Sequence, residues 1–167
     1  CGTTWISDNL RTHPDVYIPV HLKEIHYFDR YFSKGNAWYT ANFSDKQENQ
    51  ISGEFTPNYI RDTKTLNLIS LTCPQAKLII SIRNPAERAF SHYNFIKNRK
   101  NISTSFYEAL FDDRYQILES GLYGKQIQNC LKYFSRDQIH IIIFDDLKTS
   151  PERVLSDLFE FLGVDKQ

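Results

Sequence analysis

KLIISIRNPAERAFSHY, residues 77 to 93, is the stretch whose reading decides the fold. Lys77 to Arg83 is a β-branched run bounded by turn signals, the pattern of a strand buried on both faces. Asn84 suits a helix cap and Pro85 a first helical turn, so a helix starts directly at that strand's carboxyl end. Strand and helix meet at Arg83. Open α/β sheets bind ligands at the carboxyl ends of their strands, and Ser91 falls two turns into the helix on roughly the same side. An arginine there can fork onto a phosphate while a serine hydroxyl completes the contact, and Arg88 could do likewise. The plainer alternative is an Arg83–Glu87 surface pair, an arrangement worth little.

Working outward, helix-like and strand-like segments alternate. TKTLNLISLT, ending at Thr72, is a helix that stops before Cys73-Pro74. QIHIIIFDDL is a second buried strand, followed at Ser150-Pro151 by a helix with Val154, Leu155, Leu158 and Leu162 inward and Gly163 as its stop. GLYGKQIQNCLKYF places Ile127, Leu131 and Phe134 on one helical face, and Ser105 to Glu108 has capping-box spacing. Near the start, WISDNLRTH reads as a helix, and VYIPV as a short strand that Pro19 keeps off the centre of a sheet. Tyr27 to Phe43 has no clear period and reads as loop and short helix. GEFTPNYI reads as extended or turn-like. The pattern predicts an α/β fold, a mostly parallel sheet flanked by helices, in one domain over residues 1–167.

Composition agrees. A 167-residue chain with 41% hydrophobic and 14% aromatic content can bury one core. The aromatics read as core and rim rather than as a ligand groove. Twenty basic and twenty acidic residues cancel. That balance argues against sequence-independent binding to nucleic acid or an anionic membrane, so any anion must be held locally. The apolar runs fall far short of the roughly 20 residues that span a bilayer. Cys1, Cys73 and Cys130 form no C-x-x-C pair, which fits a reducing, cytoplasmic setting. The chain contains no methionine, so its first residue is expected to be internal to a longer parent.

Two further segments carry chemistry. CGTTW, residues 1 to 5, places a glycine turn and two threonines at a helix start, where unpaired N–H groups, the helix dipole and hydroxyls can hold a phosphate. A glycine turn with a threonine cap is the plainer reading. The full G-x-x-x-x-G-K-[ST] loop is not present, because Thr3 stands where its lysine would be. KEIHYFD, residues 23 to 29, holds four ionisable groups. Read as a strand, it points Lys23, Ile25, Tyr27 and Asp29 one way and Glu24, His26 and Phe28 the other. Glu24 beside His26 could then take a proton from a nucleophile. An edge strand with solvated charges is the alternative.

In order and content the three segments resemble the sulfotransferases that use 3′-phosphoadenosine 5′-phosphosulfate (PAPS). CGTTW is similar to the end of that family's 5′-phosphosulfate loop, and RNPAERAFSHY to its 3′-phosphate motif, an arginine followed eight residues later by a serine. KEIHYFD looks most like the heparan sulfate branch, in particular its 3-O-sulfotransferases. The resemblance implies a P-loop-like central parallel sheet whose first strand, with the loop lysine, lies upstream of Cys1. It implies PAPS as co-substrate and no metal. Gly2, Thr3 and Thr4 would hold the 5′-phosphosulfate, and Arg83 and Ser91 the 3′-phosphate. Glu24 would be the base and His26 would orient the acceptor or stabilise charge, with Lys23 and Asp29 shaping the acceptor site.

The implied reaction is transfer of the sulfuryl group to a hydroxyl or amine of a carbohydrate, lipid or small-molecule acceptor. Phe55 stands where the heparan sulfate enzymes usually carry a lysine, and the chain stops before the family's basic closing loop. Phe55 and the neutral net charge make a bacterial member with another hydroxylated acceptor at least as good a reading as one acting on a glycosaminoglycan. A eukaryotic membrane-anchored parent would instead put the domain in the Golgi lumen. Rival readings are a P-loop small-molecule kinase, with Asp145-Asp146 as its acidic metal ligands, and an inactive nucleotide-binding relative.

Overall fold

A computed structural model describes residues 2–22 and 24–165. In chain order the elements are α1 (Thr3–Thr12), β1 (Val16–Tyr17), α2 (Gly35–Ala41), β2 (Ile51–Ser52), α3 (Thr63–Thr72) and β3 (Leu78–Ile82). They continue with α4 (Pro85–Lys100), α5 (Phe106–Phe111), α6 (Tyr123–Cys130), β4 (Ile139–Ile143), α7 (Asp146–Thr149) and α8 (Pro151–Leu162). Single π and 3-10 turns fill the path between His26 and α2 and from Pro57 to Arg61.

The described strands pair in parallel, as expected, and form two ladders: β1 with β2, and β3 with β4. The β3–β4 register runs from Leu78 opposite Ile139 to Ile82 opposite Ile143. Because side chains alternate between faces, each strand serves two layers. Leu78, Ile80, Ile82, Ile139 and Ile141 pack with Leu66, Ile69, Cys130 and Phe134, the layer of α3 and α6. Ile79 and Ile142 pack with Ile6, Leu10, Val154 and Leu158, the layer of α1 and α8. Helices on both faces explain why the two strands read as nearly continuous apolar runs, interrupted at Ser81 and His140. The third cluster, around Ala89, Tyr93, Ile96, Ala109 and Ile117, ties α4 to α5.

Local signals account for the helix ends. Asp62 caps α3 by accepting the N–H groups of Lys64 and Thr65, and Ser105 and Glu108 form the expected capping box. Asn84 accepts from the N–H groups of Ala86 and Glu87 at 3.0 and 3.3 Å and starts α4 two residues past β3. Gly163 stops α8 in the left-handed conformation. One expected face is corrected. α6 ends at Cys130, its buried residues are Gln126 and Cys130, and Leu131 is 45% exposed. The chain leaves the helix at that point, so only Ile127 and Phe134 of the expected stripe reach the core.

Arg88 is also corrected. Its guanidinium is buried, donates from Nη2 to the Ile117 carbonyl and lies 3.4 Å from His92 Nδ1. It ties α4 to the loop between α5 and α6 and is not free to grip a ligand. Burial first, then the nearby Arg88 and Arg61 charges, push the His92 imidazole down to about 4.

Two outcomes follow. Asn84→Ala removes the cap and is expected to lower the unfolding free energy by about 1 kcal/mol, read from denaturant midpoints, with Asn84→Asp close to the parent. As pH falls, the unfolded His92 takes up its proton before the folded one. Stability contributed by this site is therefore full above about 6.5 and declines as pH drops towards about 4. Replacing the imidazole in His92→Gln should flatten that part of the urea-midpoint profile; an unchanged slope would show that His92 does not carry it.

Candidate functional site

The site starts from a glycine in the left-handed region. Gly2 has φ +74, and a Cβ there would lie 2.5 Å from Leu147 Cδ1 and 3.1 Å from Phe144 Cδ2. Any other residue would be strained at that backbone angle, and the Leu147 and Phe144 side chains would have to shift to admit it. Gly2 starts α1, its carbonyl accepts the Ile6 N–H at 3.0 Å, and no side chain caps this end. The first-turn N–H groups beside Thr3 and Thr4 therefore have no partner within the helix and suit an anion.

Thr3 and Thr4 line a cavity of about 230 Å³. Ser7, Asp8 and Arg11 continue that lining along α1, and Val20, Glu24, Phe55 and Pro57 complete it. Phe55 thus lies in the same hollow as Glu24 and the threonines and adds apolar surface there.

Glu24 and His26 meet as expected: Glu24 Oε2 lies 2.9 Å from His26 Nε2. The strand reading behind that expectation is overturned. His26 adopts φ 55, ψ 30, and a π turn follows it over Tyr27–Tyr31, with the Arg30 and Tyr31 N–H groups both donating to the His26 carbonyl. This winding brings Asp29 round beside the imidazole, its carboxylate oxygens 3.0 and 3.1 Å from Nδ1. Asp29 holds His26 and does not point away from it. Each ring nitrogen faces a carboxylate, with 13% of the His26 side chain exposed against 35% for Glu24. The neighbours Ile25, Tyr27 and Phe28 are buried and anchor the turn. Lys23, expected beside the acceptor, lies outside the described residues, as does Cys1.

Two residues behind the imidazole escaped the sequence reading. The His26 N–H donates to Thr56 Oγ1 at 3.4 Å, and Thr56 Oγ1 donates to Glu54 Oε2 at 2.8 Å. Tyr39 and Tyr59 also donate to the Glu54 carboxylate. Burial pushes the Glu54 carboxyl above its ordinary range, while the hydroxyl donors pull against that shift. The signal was the polar pair around Phe55 in GEFTP. Nothing in its spacing tells that Thr56 faces His26 across 30 positions.

At the end of β3, Arg83 makes the plainer contact foreseen for it, with Nε and Nη2 3.0 and 2.9 Å from Glu87 Oε2. Its guanidinium carbon also lies 4.7 Å from the centre of the Phe144 ring, the ring that packs on Gly2. Arg83 and Gly2 are therefore brought to the same end of the β3–β4 ladder. Ser91 is exposed on α4, one turn beyond Glu87 on the same stripe.

Comparison with known proteins identifies the family. The sulfotransferase domain family matches residues 1–167. Mouse heparan sulfate glucosamine 3-O-sulfotransferase 3A1 is 31% identical over 171 residues, which cover 98% of this chain and 43% of that protein. The human heparan sulfate glucosamine 3-O-sulfotransferase 6 is 29% identical, with 98% and 49% covered. A membrane-associated sulfotransferase of Dictyostelium discoideum, kil1, is 25% identical, with 98% and 54% covered. The chain spans about half the length of the curated relatives it matches. Among solved structures, a sulfotransferase from Alicyclobacillus acidocaldarius superposes with a TM-score of 0.90 at 27% identity, over 100% of this chain and 78% of that one. No helix among the described residues is long and apolar enough to cross a membrane. With a match over its whole length and a fold shared with a solved sulfotransferase, the chain belongs to the sulfotransferase domain family.

Proposed function

We propose that this domain transfers the sulfuryl group of PAPS to a hydroxyl or amine of a carbohydrate, lipid or small-molecule acceptor, with Glu24 as the base. One observation carries the reading: Glu24 lines the same cavity as Thr3 and Thr4. A base and an anion-binding helix start lining one hollow are what a displacement between two bound partners requires.

The residues fit the donor. The missing Cβ at Gly2 and the uncapped first turn of α1 suit the 5′-phosphosulfate, with the Thr3 and Thr4 hydroxyls as further donors. Arg83, with Ser91 on the neighbouring helix face, suits the 3′-phosphate, which a guanidinium holds through paired N–H groups. Glu87 holds that edge of Arg83 in the absence of phosphate; it is 53% exposed, so the pair is weak and readily exchanged. The donor supplies the sulfuryl group and departs as 3′-phosphoadenosine 5′-phosphate.

Glu24 accepts the proton that the acceptor hydroxyl or amine loses as its oxygen or nitrogen bonds to sulfur. His26, clamped by Asp29, holds the Glu24 carboxylate in place from its other oxygen-facing nitrogen. Arg11 and Asp8 offer hydrogen bonds to the acceptor along α1, while Val20, Phe55 and Pro57 face its apolar side. The relatives named for heparan sulfate make a carbohydrate one natural acceptor class. The domain is proposed to act as a single unit over residues 1–167.

Glu24→Gln keeps the shape and removes the base, so kcat should fall by about 100-fold or more while affinity for the product nucleotide stays within about twofold. Turnover assays with labelled donor and calorimetry with 3′-phosphoadenosine 5′-phosphate read the two effects; undiminished kcat would remove Glu24 from its role. Arg83→Ala should weaken that nucleotide by about 1.5–3 kcal/mol and leave ADP nearly unchanged. Equal affinities for the two nucleotides in the parent protein would end the 3′-phosphate assignment.

A further inference from the structure

We propose that Phe144 is a positioning residue for the donor, its ring bracing the Arg83 guanidinium by the face while the edge exchanges Glu87 for an anion, and setting Arg83 in register with the Gly2 turn. The inference rests on the assignment of Arg83 to the 3′-phosphate.

Three contacts place Phe144 between the two grips. Its N–H donates to the Ile82 carbonyl at 2.8 Å, continuing the β3–β4 ladder one step past its last pair, so Phe144 leaves β4 at the level where Arg83 leaves β3. Its ring centre lies 4.7 Å from Arg83 Cζ. The ring's edge carbons Cδ2 and Cε2 would touch a Cβ at Gly2 at 3.1 and 3.3 Å, so they pack directly on the glycine. Lys148 Nζ approaches the same ring at 4.9 Å, which marks it as a platform for cations and not only as packing. The ring is half-buried at the open end of the ladder.

The chemistry gives the ring a task that Glu87 cannot perform. A guanidinium binds a carboxylate or a phosphate through the N–H groups on its edge and an aromatic ring through its face. Glu87 takes the edge and would be displaced by a phosphate, whereas Phe144 takes the face and can stay. An arginine already held in place loses less rotamer freedom when its anion arrives. Because the same ring touches Gly2, the distance between the two grips is held by one rigid side chain.

The test uses calorimetric titration of the full-length protein with 3′-phosphoadenosine 5′-phosphate and with ADP. Two replacements are compared: Phe144→Leu, and 3,4,5-trifluorophenylalanine introduced at position 144, which keeps the ring's shape and depletes its π face. Both should weaken the 3′-phosphate nucleotide about three- to tenfold and ADP by less than about twofold. In an Arg83→Ala background neither should weaken it further, and Phe144→Tyr should bind like the parent. Should Phe144→Leu not fold, the fluorinated ring gives the same readings.

Equal weakening of both nucleotides, or an undiminished affinity with the fluorinated ring, overturns the role of Phe144 while the donor assignment stands. A parent protein that does not prefer the 3′-phosphate nucleotide over ADP overturns the donor assignment and this inference with it.

Discussion

The register between β3 and β4 is the constraint on which the site depends. Five consecutive pairs in parallel bring both strands to an end at the same level, so Arg83 and Phe144 emerge side by side. A slip of one residue would turn every side chain to the opposite face and bury His140 and Ser81 among the residues now facing α3 and α6. The β-branched and leucine side chains on both faces make that slip costly. The helices then follow from the strands: α4 begins at Asn84 because Arg83 ends the ladder, and α1 is held against the other strand through Gly2, Phe144 and Leu147.

The second grip on geometry is around His26. A residue other than glycine in the left-handed region costs on the order of 1 kcal/mol and persists only when its surroundings over-determine it. Here they do. Two carboxylates meet the ring nitrogens, Thr56 receives the backbone N–H, and Ile25, Tyr27 and Phe28 are buried on either side. Tyr27 stacks on Tyr39 at 4.4 Å, and Tyr39 in turn bonds Glu54, so the aromatic-rich stretch packs the residue next to His26 and links it to the Glu54 carboxylate. That is a structural use of the aromatics, and it is the one their abundance suggested.

How much was legible in the sequence depended on whether the signal was local. The β3 and β4 runs, the caps at Asn84 and Ser105, the stop before Cys73-Pro74 and the stop at Gly163 all act within a few residues, and each element lies where its own residues put it. Glu24 with His26 was legible for the wrong reason. Alternation put them together, whereas the chain turns left-handed at His26 and winds into a π turn, so that Asp29 joins them. The burial of Leu131 was misjudged because periodicity was carried beyond the last helical turn. Thr56 behind His26 and Phe144 between Arg83 and Gly2 were not legible, since each contact spans tens of residues and rests on how the elements pack. The GTT turn could be read as an anion grip, but not the close packing of Leu147 and Phe144 on Gly2.

Charge is distributed in a way that matches these constraints. A chain with no net charge cannot draw anions from a distance, so recognition falls to a few oriented groups. On the proposed reading the donor meets one arginine whose face is braced and whose edge is only loosely occupied. The acceptor side is different. Among the described residues lining the cavity, Arg11 is the one cation; its Nη2 already donates to the Pro19 carbonyl, and Nη1 lies 3.7 Å from Asp8. Val20, Phe55 and Pro57 add apolar surface to the same cavity. On the proposed reading, a ring with an apolar face and a few hydroxyls is matched by these lining groups, and the hollow suits a hydroxylated acceptor held by shape and hydrogen bonds close to Glu24.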